Sequence, residues 1–136
     1  MSADRMPLTR DSIATLVRDF YADVRADPEL GPVFDAVLAG HWEEHLDRMV
    51  DFWSTVVLHT HSFRGNVYDK HMALNGITRS HFTRWLELWK AHTERLFGKE
   101  AAHEFQLIAA GIGRMLHFGF FDEFPDGTVP RKAAVA

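Results

Sequence analysis

The chain has 136 residues, of which 46% are hydrophobic, and this is enough for one domain, 1–136, with a core of its own. Its 15 basic and 19 acidic residues give a net charge of −4, and without a long basic run this disfavours nucleic-acid binding. The absence of cysteine excludes disulfides, thiolate metal sites and a cysteine nucleophile, and it fits a reducing, cytoplasmic setting. No segment approaches the roughly 18 apolar residues of a membrane span, and the first residues lack the apolar stretch of a signal peptide.

The first predicted helix covers residues 9–26. Apolar side chains recur there at steps of three and four: Ile13, Leu16, Val17, Phe20, Tyr21 and Val24. Thr9 or Asp11 is suited to cap its start, and Asp27-Pro28 ends it because the residue before a proline avoids the helical region. A short second helix follows within 30–40 and is closed by a glycine.

The third predicted helix covers residues 41–58 and carries one histidine among apolar residues. Its stripe consists of Trp42, His45, Leu46, Met49, Val50, Trp53, Val56 and Val57. A buried histidine needs partners for both ring nitrogens, so His45 is either a core histidine bonded to a carbonyl or a functional group.

A brief element at 67–74 raises the same question, because His71 lies there beside apolar residues in a segment too short to be stable alone. The segment 59–66 before it is predicted to be a loop. A fifth helix should start at Thr78 or Ser80 and end at Gly98, and a sixth should span 99–119. The predicted fold is therefore all-α, with about six helices, a core at about 9–121 and a flexible tail at 122–136.

The aromatic content links the two histidines. The chain has eleven phenylalanines and four tryptophans, so aromatic rings occur on every long helix. A flat iron macrocycle between these rings would explain the pattern, with one histidine on the iron and the other facing the opposite side. Each histidine taken alone favours an ordinary core role, and the open alternative is a cofactor-free helical domain.

Other chemistry has weaker support. The sequence contains no P-loop, no G-x-S-x-G elbow and no repeated Glu-x-x-His motif of a di-iron bundle. His59 and His61 are two residues apart in the predicted loop, and a non-haem metal site there stays an alternative. The remaining histidines fit no common metal spacing and are assigned mostly to the surface or to helix ends: His41, His81, His92, His103 and His117.

Four segments together resemble the truncated haemoglobins, in particular their third group. They are DFYADVRADPELGPVF, HWEEHLDRMVDFW, YDKHMAL and HFTRWLELW, in this order, and the resemblance covers about residues 12–118. It implies the truncated globin fold, a helical sandwich around haem b (iron protoporphyrin IX).

The resemblance also implies roles for individual residues. His71 matches the proximal ligand of the iron, and Tyr21, His45 and Trp85 match the distal tyrosine, histidine and tryptophan. Phe34 matches the phenylalanine on the haem face. Arg48 matches a cation near a haem propionate, with Arg64 and Lys70 as further members of that set, and Met49 and Trp53 complete the expected cofactor-binding residues.

The function implied is binding of dioxygen, NO or other diatomic ligands, with redox chemistry on bound oxygen or NO as an extension. A chain of this size has no room for a flavin or nicotinamide domain, so any turnover needs an external reductase. A peroxidase-like haem enzyme, with His45 and Tyr21 handling protons, is the alternative from another class.

Overall fold

Four helices account for most of the residues that the computed structural model describes, which are 5–61, 71, 72, 74 and 76–129. They are α1 (Arg10–Ala26), α2 (Leu30–Leu38), α3 (Trp42–Leu58) and α4 (Arg79–Phe121). The described part of the chain contains no β-strand, so the all-α prediction is confirmed. None of these helices is both long and apolar enough to span a membrane.

Helix α1 begins at a capping box. The Thr9 hydroxyl accepts a hydrogen bond from the Ser12 N–H at 3.1 Å, and the Ser12 hydroxyl accepts one from the Thr9 N–H at 2.9 Å. These bonds satisfy two backbone donors that a helix start leaves unpaired. All six apolar residues of the predicted stripe are buried, so α1 supplies the central face of the core.

The corner between α1 and α2 is built on Asp27. Its carboxylate accepts from the Leu30 N–H at 2.9 Å and from the Arg84 Nε at 2.7 Å. Arg84 belongs to α4, so one buried carboxylate caps α2 and also ties the corner to a distant helix. This bond orients α2 against the stretch of α4 that carries Trp85.

Gly31 lets α2 approach the end of α1. A Cβ at this position would lie 2.6 Å from the carbonyl oxygen of Arg25, closer than real Cβ contacts allow. The glycine therefore sets the packing of α2, because any side chain would push the two helices apart.

Helix α4 is broken at Gly98, as the sequence predicts. The glycine has φ 81° and ψ 163°, a backbone conformation that is open essentially to glycine alone. Next to the break, the Leu96 carbonyl accepts a hydrogen bond from the Met6 N–H at 2.8 Å, and the Arg5 side chain lies where a Cβ would point. The N-terminal segment thus closes the gap between the two arms of α4, 79–97 and 99–121.

The core lies where α1, α3 and α4 meet. Trp53 of α3 stacks on Trp89 of α4 with ring centroids 4.5 Å apart, and Phe20 of α1 meets Trp89 edge-on at 4.9 Å. The Trp89 indole N–H donates to the Phe105 carbonyl at 3.1 Å. The stacked rings fill the centre of the core, and the indole donor of Trp89 is satisfied. The three helices therefore pack around Trp89.

Two predicted segments are described only in part. Within the predicted element 67–74, residues 71 and 72 are helical and the Leu74 N–H donates to the His71 carbonyl at 2.9 Å. Arg64 and Lys70 lie outside the described residues. Residues 122–129 form a hydrogen-bonded turn, in which the Phe124 N–H donates to the Thr128 carbonyl at 2.8 Å. This turn lies within the expected tail, whose flexibility stays a prediction.

Candidate functional site

An apolar cavity of about 340 Å³ opens between α2, α3, α4 and the segment around residue 71. Its volume is in the range of small-molecule sites. The structure brings all eight residues of the predicted site to its wall: Tyr21, Phe34, His45, Arg48, Met49, Trp53, His71 and Trp85. Their placement agrees with the prediction, and their chemical roles stay predictions.

Tyr21 reaches the cavity from α1 and is buried at 6% exposure. Its ring meets the ring of His45 edge-on at 4.8 Å and that of Phe34 at 6.0 Å. Burial raises the pKa of Tyr21, because the low dielectric disfavours phenolate. Within the part of the chain that the structure describes, its hydroxyl has no hydrogen bond, so it is a protonated donor available to a ligand.

His45 presents an unsatisfied nitrogen. Its Nε2 is buried and finds no hydrogen-bond partner among the described residues. Burial lowers the pKa of His45 to about 4, and the nearby charges of His71 and Arg48 add to the shift. The imidazole is therefore neutral at physiological pH. A buried polar atom without a partner costs free energy, which points to a bound group that the protein is built to accept.

His71 lies on the wall of the same cavity and is half-buried. It is the first of two helical residues in the described part of its segment. His45 and His71 both line this one cavity. Two histidines thus reach the cavity from elements that are separate in the sequence, α3 and the segment before α4.

The remaining predicted residues form walls. Trp85 is half-buried on α4, and Phe20 packs against it with ring centroids 6.1 Å apart. No hydrogen bond of the Trp85 indole is seen among the described residues, so its N–H is a second donor near the ligand space. Met49 lies half-buried on α3 with buried Trp53 one turn further on, whereas Arg48 is exposed at the rim.

Sequence reasoning missed much of the apolar wall. The missed residues come from α2 and from both arms of α4: Leu30, Val33, Val37, Leu38, Phe82, Ile112, Leu116 and Phe120. A signal was present in LGPVFDAVL, where Asp35 is the one charged residue of α2. A surface helix normally turns a polar face to solvent, and α2 has too few polar residues to form one. This composition indicates that α2 borders something other than a filled core.

Three histidines that were assigned to the surface or to helix ends have specific partners. His81 accepts a hydrogen bond from the Thr78 N–H at 3.0 Å, which is a helix-end role, and it also borders the cavity. His92 is buried in mid-helix at 2.6 Å from Asp23 Oδ2, so its surface assignment is wrong. His117 is buried near the end of α4, where its Nδ1 donates to a backbone carbonyl at 2.7 Å.

The part of the chain that the structure describes contains no metal-binding cluster. Among residues 5–61, 71, 72, 74 and 76–129, no group of three or more histidines and carboxylates is arranged to hold a metal ion. His59 and His61 are both exposed and both have positive φ, at 61° and 57°.

The architecture of the described helices is similar to that of a truncated globin. The crystal structure of group III truncated haemoglobin from Campylobacter jejuni matches with a TM-score of 0.78 and 26% identity, over 82% of this chain and 91% of that chain. In sequence, the chain is 28% identical over 117 residues to the group 3 truncated haemoglobin ctb of Campylobacter jejuni, covering 81% of this chain and 92% of the relative. No family model matches the chain.

These matches confirm the resemblance to the third group of truncated haemoglobins. They support a globin-type protein that binds a ligand at haem, and the family implies the haem cofactor. The residues present fit that group. The cavity is walled by aromatic and aliphatic side chains, and two histidines border it. One of them, His45, is neutral and its Nε2 has no partner among the described residues. Arg48 also lines the cavity and is exposed.

Proposed function

We propose that this protein binds haem b through His71 and takes up dioxygen, NO or CO in the cavity beside Tyr21, His45 and Trp85. The observation that carries the proposal is the buried Nε2 of His45, unsatisfied beside a cavity that a second histidine also borders. A group bound in the cavity would give this nitrogen the partner that it lacks among the described residues.

The proposed work of His71 is to hold the metal. When bound, the haem would supply an iron that His71 would hold and that would exchange a diatomic ligand. An imidazole has to be neutral to bind a metal, so acid should release the haem. Its second ring nitrogen is proposed to donate to a backbone carbonyl, which would set the orientation of the ring.

Tyr21 and Trp85 are proposed to stabilise the ligand. Both carry a hydrogen on a polar atom and both line the cavity. Negative charge that develops on dioxygen would be stabilised by these donors, and the apolar wall would keep water from competing. A hydrogen bond in such a dry site is stronger than the same bond in water, so we expect slow ligand release.

His45 is proposed to bond the ligand, to bind the iron itself when no ligand is present, or to gate the entry of the ligand. Its pKa of about 4 makes it a weak base at neutral pH, whereas an efficient general base has a pKa near the working pH. This difference favours ligand binding over a peroxidase-like reaction, in which His45 would take a proton from hydrogen peroxide. Turnover of a peroxidase dye substrate that is lost in His45→Leu would instead favour the peroxidase.

Slow release argues against simple oxygen delivery and favours redox chemistry on oxygen or NO. We propose a cytoplasmic setting for this chemistry, in keeping with the cysteine-free sequence. The electrons would come from a separate reductase. A test is NO consumption by the oxygenated protein with and without an added flavin reductase.

The visible spectrum of the purified protein tests the proposal. We expect a Soret band, and we expect it to be lost in His71→Ala and partly restored by added imidazole. His41→Ala is the matched control, because His41 also borders the cavity but is exposed. A colourless wild-type protein that takes up no added haem would favour the cofactor-free alternative. An unchanged Soret band in His71→Ala would show that His71 does not hold the haem.

A further inference from the structure

Trp42 lies directly behind the distal wall of the cavity. It is buried at 7% exposure and is not among the residues that line the cavity. Its ring lies 6.0 Å from the ring of Tyr21 and 5.8 Å from that of His45, and it stacks on Phe34 at 6.4 Å. One indole thus contacts three of the side chains that do line the cavity, and they come from three different helices.

The indole itself is held from two directions. Its Nε1–H donates to the Asp35 carboxylate at 2.9 Å, which fixes the ring in its own plane. The Arg25 guanidinium lies 4.5 Å from the ring centroid, over its face, which is a cation–π contact. Arg25 Nε is also 4.0 Å from the Asp35 carboxylate. The bracket of Arg25, Asp35 and Trp42 therefore spans α1, α2 and α3.

The two polar rings in front of Trp42 have no comparable anchor. Among the described residues the Tyr21 hydroxyl has no hydrogen bond, and His45 Nε2 is unsatisfied. The orientation of these two rings is therefore set by packing. Trp42 packs against both rings, and a directional hydrogen bond to Asp35 fixes its own orientation. The bracket therefore limits the orientations that the Tyr21 and His45 rings can adopt.

We propose that Trp42, fixed by Asp35 and Arg25, is a positioning residue that sets where the Tyr21 hydroxyl and the His45 imidazole point in the cavity. This inference rests on the proposed function, because it concerns how those two groups meet a ligand. A hydrogen bond weakens steeply when its donor turns away from the acceptor, so a small rotation of Tyr21 changes ligand release. The bracket would thereby control the distal site without touching the ligand.

Haem-loaded variants test this role. Trp42→Phe removes the indole N–H but keeps an aromatic ring, Asp35→Ala removes its acceptor, and Asp35→Asn keeps an acceptor oxygen. Two readouts are compared with the wild type: the dioxygen dissociation rate by stopped flow, and the C–O stretching bands of the carbon monoxide complex. The bands report how many orientations the distal groups adopt. Hydrogen exchange of the Trp42 indole N–H follows the bracket itself and needs no bound gas.

Trp89→Phe is the matched control. Trp89 is another buried tryptophan whose N–H donates to a single protein oxygen, at 3.1 Å. Its ring contacts are Phe20, Trp53 and Phe105, and they include neither Tyr21 nor His45. This variant should lower the unfolding midpoint, as the loss of any buried hydrogen bond does, while the dioxygen rate and the C–O bands stay as in the wild type.

We expect Trp42→Phe and Asp35→Ala to speed dioxygen dissociation by roughly tenfold and to split or broaden the C–O band. Asp35→Asn should keep the dioxygen rate and the C–O bands near their wild-type values. Hydrogen exchange of the Trp42 indole N–H should be faster than in the wild type for Asp35→Ala but not for Asp35→Asn. Wild-type rates and a single band in both disrupted variants would overturn the inference. It would also fall if Trp89→Phe changed both readouts equally. A wild-type protein without haem would refute the proposed function, and this inference with it.

Discussion

The imidazole of His45 meets the ring of Tyr21 edge-on, with centroids 4.8 Å apart and planes at 86°. Burial raises the pKa of Tyr21 and lowers that of His45, so each group stays uncharged. Tyr21 offers a buried hydroxyl, and the Nε2 of His45 has no partner among the described residues, so both groups can form a hydrogen bond to one polar ligand. Both rings belong to long helices, so the arrangement exists before the ligand arrives.

Removing either proposed donor should speed ligand release. Tyr21→Phe and Trp85→Phe should each raise the dioxygen dissociation rate about tenfold or more, because a hydrogen bond to a charged or polarised acceptor is worth about 1.5–3 kcal/mol. Carbon monoxide serves as the control ligand, since it accepts hydrogen bonds poorly and its release should change less. Stopped-flow rates that are unchanged in both variants would show that neither side chain donates to the ligand.

The stability of the protein should depend on the protonation of His45. Its pKa is about 4 when folded and about 6.5 when unfolded, so the unfolded chain binds more protons between these values. Stability therefore falls as the pH falls through this window, with a loss of about 2 kcal/mol from this residue by pH 5. Urea unfolding of wild type and His45→Leu at neutral and acid pH measures the difference. Parallel pH curves for the two proteins would contradict it.

Asp27 should contribute stability that acid removes. The hydrogen bond from Arg84 lowers the pKa of Asp27, and the N–H of Leu30 adds to the shift. A carboxylate with a lowered pKa stabilises the fold above its unfolded pKa, and this stability is lost as the pH falls through the folded pKa. Asp27→Ala should therefore cost about 2 kcal/mol at neutral pH through the lost cap and ion pair, and less in acid.

The control for Asp27 is Asp126→Ala. The Thr128 hydroxyl and N–H lower the pKa of Asp126 as well, but this carboxylate lies in an exposed turn. Chemical denaturation at several pH values should show little loss for Asp126→Ala. An equal loss in the two variants would mean that the link between Asp27 and α4 adds nothing.

Two glycines of α4 should respond to alanine in opposite directions. Gly98 has φ 81° and ψ 163°, so Gly98→Ala should destabilise the protein by about 1–3 kcal/mol. Gly111 is helical, and nothing lies within 4 Å of a Cβ added there, so Gly111→Ala should stabilise by about 1 kcal/mol. Thermal unfolding of both variants measures the pair. A stabilising Gly98→Ala would mean that the break in α4 is not needed.

Local features of the sequence were sufficient for the helices. Thr9, Gly98 and the Asp27-Pro28 pair act on the backbone within a few residues, so the ends of α1 and the break in α4 could be predicted. The resemblance supplied the site, and all eight predicted residues line one cavity. Sequence reasoning found only Phe34 of the α2 wall and placed Trp42 only in an apolar stripe, because a helical stripe tells which residues face inward but not whether they face a core or a cavity.

The sequence by itself determined the helical class, the bounds of the long helices and the family resemblance, since these follow from periodicity and short motifs. Only the tertiary structure decided which polar groups have partners. His92 meets Asp23 across 69 residues, Asp27 meets Arg84 across 57, and His45 Nε2 is unsatisfied among the described residues. The physical reason is that such pairings depend on the angle and distance at which two helices pack, and neither is encoded in the period of one helix.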